Sequence, residues 1–366
     1  MDRTKQQNKR NDYIELLRFI ASIMVLMHHS YWSLNGQEKT WCFGGYIFVE
    51  FFFMLTGYFT GNSFRNGKVK YGNSFAFAVS KVKKIFPMTT ICIVALYMYR
   101  VITQNIQGAD LTNLLLDMPF EILYLRDFGL TATNYFGHFW YLSAMVIVLC
   151  VYGWLADSAP KFFHGVVLPL SPVLYGSMFL NTLDGMGHWG FEMSVVQSDI
   201  IRGFAGIGLG WFISDIISGW NFQPTKLTRS LLTVVELFAL AVAVSFVWNN
   251  AYSPYDIHII ACFALIIAIS ASGKSFTSEI HSKLFRFLGR LSLPIYICHV
   301  WIEEIVHNIY IYIYAGCTKT SMYIAELIVS ILASILAGML LMLADSLWRR
   351  ATSKLRHYLI ITDPSD

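Results

Sequence analysis

The sequence predicts an all-α, polytopic membrane protein of about ten transmembrane helices with both termini cytoplasmic, and three observations carry that prediction. The first is composition: of 366 residues, 55% are hydrophobic and only 14% charged, whereas a soluble domain carries about 25% charge. So few charges cannot cover a water-facing surface, and the apolar surplus, with a mean hydropathy of +0.51, must face lipid. The second is the recurrence of apolar stretches of about 20 residues, the length that crosses a bilayer core as a helix. The third is the distribution of lysine and arginine between those stretches, which is lopsided enough to set an orientation.

The first span, 12–33, follows Arg3, Lys5, Lys9 and Arg10. That basic lead is what a secretory leader carries, but no small-residue cleavage site follows Trp32, so the segment reads as a retained helix. Further spans are expected at 44–62, 82–103, 136–156, 162–181, 197–219, 229–248, 255–272, 291–314 and 321–347. The longest connection, 104–135, contains Leu111–Leu125, apolar enough for an interfacial or re-entrant helix. Gly203, Gly206, Gly208 and Gly210 in the sixth span suit close helix packing. No internal repeat is visible, so an inverted-repeat transporter gains no support.

With the N-terminus inside, 21 of the 27 basic residues fall in inner segments, and only Lys39, Arg126 and Lys319 fall in outer ones. The remaining Arg18, Arg100 and Arg202 lie within spans. The 104–135 connection carries Asp110, Asp117, Glu121 and Asp127 and fits outside. Residues 1–366 therefore read as a single membrane domain, helical from about 12 to 347, with short cytoplasmic tails. The six cysteines form no CxxC pattern, so neither a zinc site nor a disulfide framework is expected, and the outer Cys42 and Cys317 are expected to be unpaired. No basic run has nucleic-acid character; the expected partner is the lipid bilayer.

Ionisable side chains inside a span are expensive and mark functional candidates. The first span holds Glu15, Arg18, His28 and His29. Eleven residues separate Arg18 from His29, close to three helical turns, which aligns them within about 20° and roughly 16 Å apart along the axis; His28 is turned about 100° away. Ser22 lies on the same stripe. Arg18 can instead pair with Glu15, three residues earlier. Glu50 sits among aromatics in the second span at a depth similar to that of His29, so the two are expected to meet. A carboxylate beside an imidazole is a general-base arrangement, since it fixes the tautomer and stabilises the imidazolium; a structural hydrogen bond between helices is the alternative. In the sixth span, Asp199 and Arg202 can neutralise each other. His299, Glu303 and His307 fall four residues apart on one helix face without an evident fourth metal ligand, and no metal is expected.

Five segments, in order, resemble acyltransferase family 3, the integral membrane acyltransferases that modify surface glycans. Arg18 and His29 match its first-helix pattern of an arginine and a histidine with ten residues between them. Phe48-Val-Glu50-Phe-Phe-Phe-Met-Leu-Thr56-Gly57-Tyr is similar to its second-helix block, with Thr56 where serine is usual. Lys81-Val-Lys83-Lys84-Ile-Phe-Pro87 resembles its basic Ile-x-Pro segment, with lysine for arginine. His138-Phe-Trp140-Tyr-Leu142 resembles its His-x-Trp-x-Leu element. Leu288-Gly289-Arg-Leu-Ser292-Leu-Pro-Ile-Tyr296-Ile-Cys-His299 resembles its Gly-x-x-Ser…Tyr-x-x-His block. Phe19 departs from the glycine common after the arginine and is expected to alter local packing only. The resemblance covers about 12 to 347.

It implies an acyl-coenzyme A co-substrate, with acetyl-CoA the first expectation, and a hydroxyl of a cell-envelope or exopolysaccharide glycan as acceptor, in the cell (inner or plasma) membrane; no permanently bound cofactor is implied. His29 is expected as general base or transient acyl carrier, Glu50 as its orienting carboxylate, and Arg18 with Lys81, Lys83 and Lys84 as the donor site. His138, Trp140, Arg202, Ser292, Tyr296 and His299 are expected to support the site or bind the acceptor. The lysines also suit an ordinary inner-face anchor. Some members append an extracellular esterase-like domain, for which the 366 residues leave no room; transfer is then expected from the membrane domain alone or with a separate partner, and a homodimer is possible. The competing readings are a glycan or lipid transporter whose buried charges line a path, and a non-catalytic partner in envelope assembly. Thioester turnover separates the first reading from both.

Overall fold

The computed structural model describes residues 11–33, 42–69, 72–126, 137–182, 192–193, 196–250, 253–313 and 320–361. Eleven helices account for most of them: α1 (Asp12–Ser33), α2 (Phe48–Arg65), α3 (Ser74–Thr103), α4 (Gly108–Ile122), α5 (Trp140–Ser158), α6 (Leu168–Thr182), α7 (Ser198–Ser218), α8 (Lys226–Asn249), α9 (Asp256–Ser272), α10 (Lys283–Ile313) and α11 (Thr320–Ile361). Short 3₁₀ turns at Phe43–Ile47 and Gly137–Phe139 lead into α2 and α5, and a π turn at Phe163–Val167 leads into α6. The sole strand pairing among the described residues joins Glu192–Met193 to Val196–Gln197.

Each of the ten expected spans falls on one of these helices, and Leu111–Leu125 falls largely on α4. Six segments, Phe43–Arg65, Ser74–Thr103, Gly137–Ser158, Ser198–Ser218, Lys226–Asn249 and Tyr323–Lys354, are long and apolar enough to cross a membrane by composition alone. The others fall short for local reasons. Helix α1 carries Asp12, Glu15 and Arg18, α6 and α9 have 15 and 17 residues, and α10 mixes apolar turns with Lys283, Arg286, Arg290, Glu303 and Glu304.

Helix ends follow from their sequence. Asn11 caps α1, its Oδ1 accepting from the backbone N–H of Tyr13 (3.0 Å) and Ile14 (3.2 Å). Asp12 then ties that end to α10, Oδ2 accepting from the Ser282 N–H at 2.8 Å. Thr225 caps α8 through the Thr228 N–H at 3.2 Å, and α9 stops at Gly273, which takes the left-handed conformation (φ 71°) open to glycine.

Two helix pairs organise the bundle: α2 with α7, and α1 with α10, the latter backed by α11. The first is a backbone contact. A Cβ on Gly57 would overlap the Ile207 carbonyl, and one on Gly210 would overlap that of Met54. Gly206 and Gly208 admit Phe53 and Ser171 in the same way, so the expected role of the glycines holds. In the second pair Gly289 leaves the space that the Glu15 side chain fills. Large apolar side chains of α8 and α11, among them Phe238, Leu231, Leu332 and Leu340, are exposed and suit contact with lipid chains.

Helix α4 is built the other way round from a soluble surface helix. Leu115 and Leu116 are exposed while Asp117 and Glu121 are 3% and 2% exposed. Its carboxyl end is fastened by Tyr124, whose hydroxyl meets Thr89 Oγ1 at 2.6 Å and whose carbonyl accepts from Ser143 at 2.7 Å. Burial with few polar neighbours, and the nearby Asp117 charge, push the Glu121 carboxyl up to about 7, against the opposing pull of Arg126. The described cysteines are all free, Cys42 lying buried against Met24; Cys317 lies outside the described residues.

The backbone contact gives a direct test. Gly210→Ala forces overlap with the Met54 carbonyl and is expected to cost about 1–3 kcal/mol, read as a lowered unfolding midpoint in detergent. Gly176→Ala, where a Cβ meets nothing within 4 Å, should leave the midpoint unchanged or raise it.

Candidate active site

Four imidazoles from three segments form a continuous chain. His28 and His29 come from α1, His138 from the turn before α5, and His299 from α10. Ring centroids are 5.2 Å apart for His28–His29, 5.1 Å for His29–His299 and 5.2 Å for His299–His138. Three rings are pinned by backbone carbonyls, which can only accept, so the facing nitrogen in each carries the hydrogen. His28 Nδ1 donates to Phe43 (2.7 Å), His299 Nδ1 to Tyr296 (2.8 Å) and His138 Nε2 to Ile297 (3.2 Å). His28, His138 and His299 are buried, while His29 is partly exposed.

Tyr296 secures the cluster from below, its hydroxyl donating to the His138 carbonyl. One turn earlier Ser292 donates to the Gly289 carbonyl at 2.8 Å, a bond within α10 that supports the helix. Tyr141 stacks edge-on to Tyr296 at 5.4 Å, and its hydroxyl lies 3.3 Å from Thr56 Oγ1. Tyr141 and Tyr296, with Phe52 against both, thus form an aromatic bridge from Thr56 to the histidines.

Arg18 makes the local pair with Glu15, Nη1 to Oε2 at 3.0 Å, and keeps 26% of its side chain exposed. Of the lysines, Lys83 and Lys84 are exposed, and Lys81 is half-buried with its ammonium 4.8 Å from the Phe77 ring centre. Arg349 of α11 joins them by donating to the Lys84 carbonyl at 2.5 Å.

The expected contact between His29 and Glu50 is not formed. Glu50 is fully buried and both its oxygens are taken: Oε1 by Arg202 Nε at 2.6 Å and Oε2 by the Tyr175 hydroxyl at 2.5 Å. Equal depth placed the two residues together, but direction separates them, because α2 turns the Glu50 face toward α7 while α1 turns His29 toward α10. The Asp199–Arg202 pair is correspondingly weaker than expected at 3.9 Å. Arg202 stacks on Trp140, its guanidinium carbon 4.4 Å from the ring centre. Trp140 follows His138 by two residues, so the ion pair packs against the segment that carries that histidine and not against His29.

The residues with metal-ligand spacing on α10 diverge to separate partners. Glu303 accepts from Ser30 at 3.0 Å and His307 pairs with Glu326 at 2.8 Å. No group of three ligands that could hold a metal occurs among the described residues. Sequence reasoning missed Tyr175, whose signal was a phenol in an otherwise apolar stretch that must find a partner. It also missed a second polar cluster in which Asp215 binds Arg65 (3.0 Å) and His164 of the π turn (2.6 Å).

An apolar helical bundle with six helices long and apolar enough to cross a membrane, together with a match to an acyltransferase family, defines a membrane acyltransferase. The chain belongs to acyltransferase family 3: the family model described as an acyltransferase domain matches residues 11–343, nearly the whole length. No curated protein and no solved structure matches it significantly.

The Glu50–Arg202 pair separates a supporting role from a catalytic one. Glu50→Gln leaves a buried guanidinium without its charge partner and is expected to cost about 3–5 kcal/mol, with partial recovery of the unfolding midpoint in the Glu50→Gln/Arg202→Gln double variant. A Glu50→Gln protein of normal stability but without transfer activity would return Glu50 to the reacting centre.

Proposed function

We propose that the protein is an O-acyltransferase that carries an acyl group, acetyl in the first instance, from cytoplasmic acyl-coenzyme A to a hydroxyl of a cell-envelope or secreted glycan. The observation that carries this reading is the position of His29. It is the partly exposed member of an otherwise buried histidine chain, three helical turns along α1 from the partly exposed Arg18. In this reading Arg18 and the Lys81, Lys83, Lys84 segment hold donor phosphates, and the pantetheine arm lies along the aromatic bridge. A neutral His29 nitrogen takes the proton of the acceptor hydroxyl as its oxygen attacks the thioester carbonyl. The carbon–sulfur bond breaks, and the proton leaves on the departing thiol. Trp140, Arg202 and His138 hold the outer end of the site, where the acceptor enters.

The test is transfer of labelled acetyl from acetyl-coenzyme A to candidate glycans by purified protein. His29→Ala is expected to lower the rate by about 10²–10⁴-fold with normal membrane insertion, whereas His28→Ala, which loses a bond to the Phe43 carbonyl, should retain measurable turnover. Movement of unmodified glycan without thioester turnover would replace this reading with a transporter.

The reading also requires ten spans in the inner or plasma membrane, with the basic loops and both termini on the cytoplasmic side. Single cysteines introduced near Lys68 and Lys283 should label only from the cytoplasm, and one near Gln107 from outside. Labelling beside Lys68 from outside would reverse the orientation and detach Arg18 from a cytoplasmic donor.

A further inference from the structure

We propose that His299 is the positioning partner of His29: its Nε2 receives the N–H of His29, so that the second nitrogen of His29 meets the acceptor hydroxyl as a lone pair. The inference rests on the acyl-transfer reading above and assigns the residue that sets the tautomer of the base.

His299 is 0% exposed, so it acts through a neighbour and not on substrate. Its Nδ1 lies 2.8 Å from the Tyr296 carbonyl. That contact fixes the hydrogen on Nδ1 and leaves Nε2 as an acceptor. Nε2 is fully enclosed and has no hydrogen-bond partner among the described residues. A buried acceptor without a donor is unfavourable, and such an atom in a native site calls for a reason. Two imidazoles touch the ring, His29 at 5.1 Å and His138 at 5.2 Å. The Nε2 hydrogen of His138 is committed to the Ile297 carbonyl, and His28, on the far side of His29, commits its Nδ1 hydrogen to Phe43. His29 is the contacting ring with no hydrogen committed to a backbone carbonyl among the described residues. A centroid separation near 5 Å is what an N–H···N bond of ordinary length between two imidazoles requires, and the His29 and His299 rings stand 5.1 Å apart at an interplanar angle of 53°. Tyr296 packs on the His299 ring, and Glu303, one turn further along α10, is held by Ser30.

The proton balance is closed. As the acceptor oxygen bonds to the acyl carbon, its proton moves to the free nitrogen of His29, and the hydrogen on the opposite nitrogen shifts toward His299 Nε2. When the carbon–sulfur bond breaks, the shift reverses and one proton leaves on the thiol. Net charge in the histidine chain is unchanged after each turnover.

Two measurements on the full chain test this. Ring-nitrogen shifts of ¹⁵N-histidine protein in nanodiscs, with His299 assigned by its disappearance in His299→Gln, are expected to report a neutral Nδ1–H tautomer; an Nε2–H tautomer or a constitutively charged ring overturns the proposal. In kinetics, His299→Phe should lower kcat by about 10–100-fold, the usual loss when the group orienting an imidazole is removed, with KM for donor and acceptor unchanged. His299→Gln, whose amide oxygen can accept near the Nε2 position, should recover part of that loss. Normal kcat in His299→Phe, or a loss confined to KM, overturns it. If His299→Phe does not fold, the wild-type tautomer and the Gln variant decide. A wild-type protein that forms no acylated glycan from any acyl-coenzyme A fails the parent reading instead, and the tautomer measurement still stands apart from it.

Discussion

Glu50 and Arg202 have been withdrawn from water together, and much of the surrounding structure is arranged to make that tolerable. Charges buried in an apolar bundle repay their desolvation only when geometry is good and remaining valences are met. Here the carboxylate takes a guanidinium N–H on one oxygen and a phenol on the other, while the guanidinium plane lies on an indole. Those partners come from α2, α5, α6 and α7, so one polar cluster specifies how four helices stand relative to one another. The glycine contact between α2 and α7 brings Glu50 and Arg202 within reach. Neither feature functions alone: without the glycines the pair could not form, and without the pair the close crossing would enclose two unmatched charges.

The histidine chain follows a different logic. Three of its four members are held by backbone carbonyls, which fix where one hydrogen sits on each ring without adding charge. Such an arrangement gives a defined proton pattern in a medium where a carboxylate would demand a counter-ion. It also explains why four histidines from distant parts of the sequence can gather within a membrane bundle at modest cost.

Much of the fold was legible from residue order because a bilayer imposes a simple length rule, and every expected span has its helix. The motifs also pointed to most of the residues whose rings meet: His29, His138, Tyr296 and His299. The pairing inside the site was not legible. Depth along a helix can be counted from sequence, but azimuth depends on which neighbour each helix faces, and that is decided by small residues such as Gly57, Gly210 and Gly289. Placing Glu50 beside His29 failed on that distinction alone. Tyr175 escaped notice because a tyrosine carries no formal charge, yet its hydroxyl in a dry interior also needs a partner, though less severely than an ionised group does. The lysines near Lys81 remain consistent with both an anchor and a phosphate site, since each needs only exposed positive charge.

The inverted helix α4 carries a consequence of its own. With 15 residues it is too short to cross a bilayer, and Leu115 and Leu116 point away from the protein while Tyr124 moors one end to Thr89 and Ser143. A segment of this kind takes its height from the lipids around it as much as from the chain. Thickening or thinning of the membrane by a few ångströms, at a cost of fractions of a kcal/mol per ångström, then raises or lowers one end of the helix against a fixed tether. The lipid composition of the leaflet thereby becomes a mechanical input to the rim of the protein.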